Sequence, residues 1–166
     1  MLRKYALGFA VVACGFASST MAAPATATGT FNVGVTLTPK CEVFSGAGPT
    51  GTLTSTIGDI NLAYTSFQTG ASTGFTSFQV RCTNSQSYSM ALDNATLTDG
   101  TTGLNYTLNL TSNSSHATAA NTSISSATGN GLTGQMYYVH GTIPAAQDGS
   151  VTAGTANNTR TLTITY

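Results

Sequence analysis

The chain has 166 residues, of which 40% are hydrophobic and 6% charged, with a formal net charge of zero and no Trp. That length fits one domain with a two-layer core once an export signal is set aside. The near absence of charge, with no basic patch, excludes nucleic acid and anionic membrane surfaces as partners.

The N-terminus reads as a secretory signal over residues 1–22. Arg3 and Lys4 form the positive region, and Tyr5 to Phe16 is an apolar run too short to span a bilayer. Small residues follow, with cleavage expected after Ala22 or after Ala25. Val12-Ala13-Cys14 loosely matches a lipoprotein box, but a better cleavage site lies beyond it. No later stretch is apolar enough for membrane insertion. Signal removal leaves Lys40, Arg81 and Arg160 against Glu42, Asp59, Asp93, Asp99 and Asp148, a net charge of about −2.

Residues 23–38 hold a short leader and then Phe31, Val33, Val35 and Leu37, separated by Asn32, Gly34 and Thr36. Strict alternation predicts a half-buried β-strand, because successive side chains point to opposite faces. Taken alone, the pattern fits the first strand of a complete sandwich or a strand that pairs with something else. Two cysteines remain after processing, Cys41 and Cys82. An even pair in an exported chain predicts one disulfide.

Alternation recurs at Ile60, Leu62 and Tyr64, and at Phe78, Val80 and Cys82, which turns Cys82 inward. It recurs again at Tyr88, Met90 and Leu92 and at Tyr106, Leu108 and Leu110. Met136 to His140 reads as a strand buried on both sides, and Leu162, Ile164 and Tyr166 form the last ladder. Turn signals separate these runs at Gly46 to Gly51, Asp99-Gly100, Gly129-Asn130-Gly131 and Asp148-Gly149. Thr111 to Thr128, rich in Ser, Ala, Thr and Asn, reads as a long loop or a poorly ordered edge. Helix signals are nearly absent after the signal, since Thr, Ser, Gly and Asn disfavour helix interiors. The expected fold is all-β, an antiparallel sandwich.

Chemistry-bearing motifs are missing. There is no nucleophile elbow, no His-Glu-x-x-His and no phosphate loop. Asp93 and Asp99 flank a turn that lacks the ligand density of a calcium loop. Two cysteines without clustered histidines make no zinc site. His116 reads as solvated in a polar loop, and His140 as packed at the end of its strand. No catalytic residue, metal or cofactor is expected, and the chain reads as a non-enzyme.

The order of these features resembles the spore coat protein U domain family, which includes subunits of archaic chaperone–usher pili. The resemblance rests on the export signal, the short alternating segment, Cys41, Phe78-Gln79-Val80-Arg81-Cys82-Thr83, Tyr137-Tyr138-Val139, Gly141-Thr142-Ile143-Pro144-Ala145 and Thr161 to Tyr166. It spans about Thr28 to Tyr166. It implies that residues 39–166 form an immunoglobulin-like sandwich lacking its final strand, completed by donor-strand complementation. Phe31, Val33, Val35 and Leu37 would then be donor side chains, and Leu162, Ile164 and Tyr166 would line the acceptor groove. The implied partners are a periplasmic chaperone, an outer-membrane usher and other copies of the chain. The implied route runs through the periplasm to the cell surface. The chain departs from the family at Asn157-Asn158, where a Tyr-Asp-like pair is more familiar. The alternatives are a secreted coat or matrix protein with a complete sandwich, and a receptor-binding tip adhesin. A tip adhesin normally carries an additional lectin domain, for which the chain has no room.

Overall fold

The computed structural model describes residues 27–45, 52–53, 57–94, 96–116, 120–149, 154 and 156–166. The signal region, both cleavage positions and the glycine-rich stretch 46–51 lie outside them. The chain divides into two units, Met1–Thr36 and Leu37–Tyr166.

Nine strands and no helix make up the described secondary structure: β1 (Cys41–Ser45), β2 (Thr52–Leu53), β3 (Ser72–Cys82), β4 (Ser87–Leu92), β5 (Thr96–Thr98), β6 (Asn105–Thr111), β7 (Ser123–Thr128), β8 (Gln135–Ile143) and β9 (Leu162–Thr165). They form two antiparallel sheets, one of six strands in the order β2-β1-β3-β8-β6-β5 and one of three in the order β7-β4-β9. The protein is an all-β sandwich, as the alternation predicts.

Pairing follows the side-chain pattern. In β3, Phe78, Val80 and Cys82 are 0, 0 and 2% exposed. Opposite them on β8 and β1 stand Tyr137, Gln135 and Cys41. Tyr88, Met90 and Leu92 of β4 supply the facing layer, and Leu108 and Leu110 of β6 extend it. At its polar end, Tyr88 shares a 2.8 Å hydroxyl contact with Tyr137 and donates to Gln135 Oε1 at 2.6 Å. Burial, with the Tyr137 hydroxyl beside it, pushes the Tyr88 phenol well above its ordinary value, so it stays protonated.

One segment differs from the sequence expectation. Ile60, Leu62 and Tyr64 are half-buried and alternate with exposed neighbours, but residues 57–64 belong to no strand. They cross the inner face of the larger sheet where Gly74 and Gly141 stand paired. A Cβ on Gly74 would lie 3.2 Å from Ile60 Cγ2, and one on Gly141 3.1 Å from the same atom. The two glycines leave the notch that this segment fills. The alternation reports its two-faced environment, not a backbone ladder. In 111–128 the edge alternative is the one realised over Ser123–Thr128, which forms the regular edge strand β7. Ile124 and Ala127 face the core opposite Met90 and Tyr88, across an irregular register.

Cys41 and Cys82 are joined, and they are direct cross-strand partners on β1 and β3. On the outer side, Glu42 accepts from Lys40 Nζ at 2.5 Å and Arg81 Nη2 at 2.6 Å. Lys40 first, then Arg81, hold the Glu42 carboxyl below its usual range.

The disulfide closes a separation of 41 residues. Replacing both cysteines with Ala should cost about 4 kcal/mol on the chain-entropy account. Urea unfolding of the oxidised protein and the double variant measures this, and equal midpoints would contradict it. Gly129 offers an independent test, because a Cβ there would strike the backbone oxygen of Thr83 and lie 2.8 Å from Cys82 Cβ. We expect Gly129→Ala to destabilise by about 1–3 kcal/mol, read as a lowered thermal midpoint.

Candidate functional site: an open sheet edge and an unpaired apolar ladder

A sheet edge exposes backbone donors and acceptors, and proteins normally blunt such edges by shortness, bulges, charge or Pro. Three of the four outermost strands here are blunted. β2 has two residues and β5 three. β7 is Ser-rich, and its register with β4 shifts between Tyr88 and Met90.

β9 is the exception. Its pairing with β4 runs without a break: Leu92 with Leu162, Ala91 with Thr163, Met90 with Ile164 and Ser89 with Thr165. The strand reads Leu-Thr-Ile-Thr, with no charge and no Pro. Among the described residues no strand pairs with its other side. Directly opposed residues share a face, so Leu162 and Ile164 point inward with Leu92 and Met90. Yet Met90 is 1% exposed, whereas Leu162 and Ile164 are only half-buried. The core is under-covered along this edge. Val43 on β1 is likewise only partly buried while packing against the core.

The entry to β9 is tied down. Asp93 pairs with Arg160 at 3.6 Å, and the Asp93 amide donates to Thr161 O at 3.1 Å. Asn158 Nδ2 donates to Asp99 Oδ2 at 2.7 Å. Asp99 is buried in the β5–β6 turn, where its other oxygen accepts from the Thr102 hydroxyl at 2.6 Å and from the amides of Thr101 and Thr102. These bonds, the Thr102 hydroxyl foremost and then Asn158, hold the Asp99 carboxyl at about 2. Asn158 thus anchors the lead-in to β9.

One apolar run that the sequence places at this site, and the last residue of another, stand outside the strands. Residues 27–40 form no strand, and Phe31, Val33, Val35 and Leu37 are 86, 73, 87 and 73% exposed. Alternation fixes where side chains point, but a strand also needs a hydrogen-bonding neighbour, and none of the sheets takes this segment. Tyr166 shares the parity of Ile164 but lies beyond the end of β9 and is 58% exposed.

The histidines are placed as expected in part: His140 is packed and hydrogen-bonded, and His116 is exposed. His140 lies within β8, which continues to Ile143, and is 1% exposed. Its Nε2 meets the Asn113 carbonyl at 3.2 Å and so donates, while Nδ1 has no partner. His116 is exposed but anchored, its Nε2 3.0 Å from the Thr142 hydroxyl and its ring edge-on to His140 at 5.1 Å. Their separation in sequence hid this contact. The register that pairs Phe75 with His140 is the signal that places an aromatic ring beside them.

No family model matches the chain, and no curated protein matches it either.

Asp99 carries a checkable consequence. Its folded pKa is depressed from 3.8 to about 2, so the bonds it accepts stabilise the fold above pH 4 and are lost as pH falls through 2. Asp99→Asn should lower stability at neutral pH and flatten the acid limb between pH 4 and 2. Parallel acid titrations for the two proteins, followed by circular dichroism, would refute this role for Asp99.

Proposed function

We propose that this chain is a structural subunit of an exported chaperone–usher-type pilus and polymerises by donor-strand exchange. The observation that carries this reading is a coincidence within one chain. β9 is a continuous, uncharged edge whose inward residues are incompletely covered, and Phe31 to Leu37 is an apolar ladder of β periodicity in no sheet. An extended segment added to an edge gains main-chain bonds along its length, with alternate side chains entering the core. Each element supplies what the other lacks.

On this reading Phe31, Val33, Val35 and Leu37 of one copy complete the sandwich of the next. Burying four such side chains gains about 6–12 kcal/mol before ordering costs. Before assembly, a periplasmic chaperone covers the β9 edge, and an outer-membrane usher exchanges it for the incoming subunit. The Cys41–Cys82 disulfide supports passage through an oxidising compartment. The rival, a coat protein with a complete sandwich, requires the ladder as an intrinsic strand, and residues 27–40 form none. The fibre function would be adhesion or biofilm formation.

Val35→Asp separates the readings. A carboxylate entering an apolar groove without a partner costs several kcal/mol, while the subunit's own sheets are untouched. We expect a protein that is exported, disulfide-bonded and chaperone-bound but forms no polymer on native gels. Intact polymers would exclude the donor role. Loss of the monomer itself would favour the complete sandwich. Deleting residues 162–166 should instead abolish chaperone capture, so the chain is degraded in the periplasm. Accumulation of soluble truncated protein at wild-type levels would count against β9 as the acceptor.

A further inference from the structure

The outer face of the six-stranded sheet carries a second feature, unconnected with the β9 edge. Phe75 and His140 are cross-strand partners on β3 and β8, so their side chains share a face, and Tyr138 stands two residues along it. The Phe75 ring lies 5.6 Å from His140 and 6.3 Å from Tyr138, yet Phe75 remains 59% exposed. Beside it opens a cleft of about 530 Å³ lined by Asp59, Asn61, Ser114, His116 and His140 among others.

The chemistry of this lining is specific. One exposed aromatic ring is held by neighbouring rings beside a carboxylate, a carboxamide, a hydroxyl and two imidazoles. Among the described residues no Lys or Arg lines the cleft, so an anion meets Asp59 with no permanent countercharge beside it. Among the described residues no group of three His, Cys, Asp or Glu is placed to hold a metal ion. His140 is buried with Nδ1 unpaired.

We infer that this cleft is a binding site for a neutral saccharide. A sugar ring presents an apolar C–H face, which suits the exposed Phe75 ring, and a rim of hydroxyls that both donate and accept. Asp59 accepts from such hydroxyls, Asn61 does both, and the exposed His116 takes either role according to tautomer. Shallow polar concavity with an aromatic wall suits a ligand that remains half-solvated. The cleft joins Phe75 and His140 of the outer face to Asp59 and Asn61 of the segment 57–64, and it does not depend on strand exchange. A chain that fails to polymerise can still bind sugar, and a polymerising chain can lose the cleft.

The test uses the exported, disulfide-bonded chain. The sequence holds two histidines, so their imidazole NMR signals report on the cleft individually. The probes are methyl glycosides of glucose, galactose and mannose, N-acetylglucosamine, and the disaccharides lactose and diacetylchitobiose. Sialic acid and glucuronate serve as anionic counterparts. We expect saturable shifts of both imidazoles with at least one neutral sugar, and an affinity about tenfold weaker in Phe75→Ala. Asn61→Ala and Ser114→Ala, both at exposed positions, give the same reading should Phe75→Ala fail to fold. Tighter binding of a disaccharide than of its methyl glycoside assigns the site to a glycan chain. Equal binding assigns it to a free sugar, and either supports the proposal. Silence of both imidazoles toward every neutral probe overturns it. So do an anionic sugar binding as tightly as its neutral counterpart and unchanged affinity in all folded variants.

Discussion

The constraint on which the rest of the structure depends is a mismatch of sheets. A six-stranded sheet presents an inner face that a three-stranded sheet cannot cover. Apolar surface left in water costs free energy roughly in proportion to its area. The chain meets that cost at one place with residues 57–64, which lie over the Gly74–Gly141 notch. The notch exists because Cβ atoms are missing from two directly opposed positions. At β9 there is no comparable cover among the described residues, and Leu162 and Ile164 stay half-exposed beside the fully buried Met90.

The same comparison shows what was legible in the sequence. Where a strand has a solvent face and a core face, period two identifies it, as at Phe78 to Cys82, Tyr88 to Leu92 and Tyr106 to Leu110. The cysteine pair was legible because one partner followed from export and the other from parity. Period two misleads where the two-faced environment exists without a paired backbone. Ile60 to Tyr64 alternates because it lies between core and water. Phe31 to Leu37 alternates although residues 27–40 form no strand. The reverse failure is β7, whose Ser, Ala and Thr residues give little hydrophobic signal although Ile124 and Ala127 pack inward. Tertiary position decides these cases, and local pattern does not carry it.

The histidine cleft was not legible for a different reason. Its members come from four separate stretches: Asp59 and Asn61, Phe75, Ser114 and His116, and His140. Each alone is an unremarked polar or aromatic residue in a chain rich in both. Only the β3–β8 register sets Phe75 against His140, and only the turn after β6 brings Asn113 and His116 onto the same ring. Asp99 is similar. As a turn residue it was visible, but its bond to Asn158 joins positions far apart in the chain.

The scarcity of charge links these observations. Natural sheets guard their edges with Lys or inward charge, and a chain with 6% charged residues has few to place. The described cations are all used in pairs close to other structure: Lys40 and Arg81 on Glu42, and Arg160 on Asp93. None stands on β9. The flanking Arg160 is turned to Asp93, and Asp99 is committed to its own turn and to Asn158. Charge therefore anchors the approach to β9 and leaves the strand bare. An edge left in this way is a hazard for a protein meant to stay monomeric, because any extended apolar segment can add to it. The chain itself carries such a segment in Phe31 to Leu37. The fold blunts its other outer strands, and a partner covering this edge would reconcile the two features. On the proposed reading, strand addition is then the property for which the edge is left open.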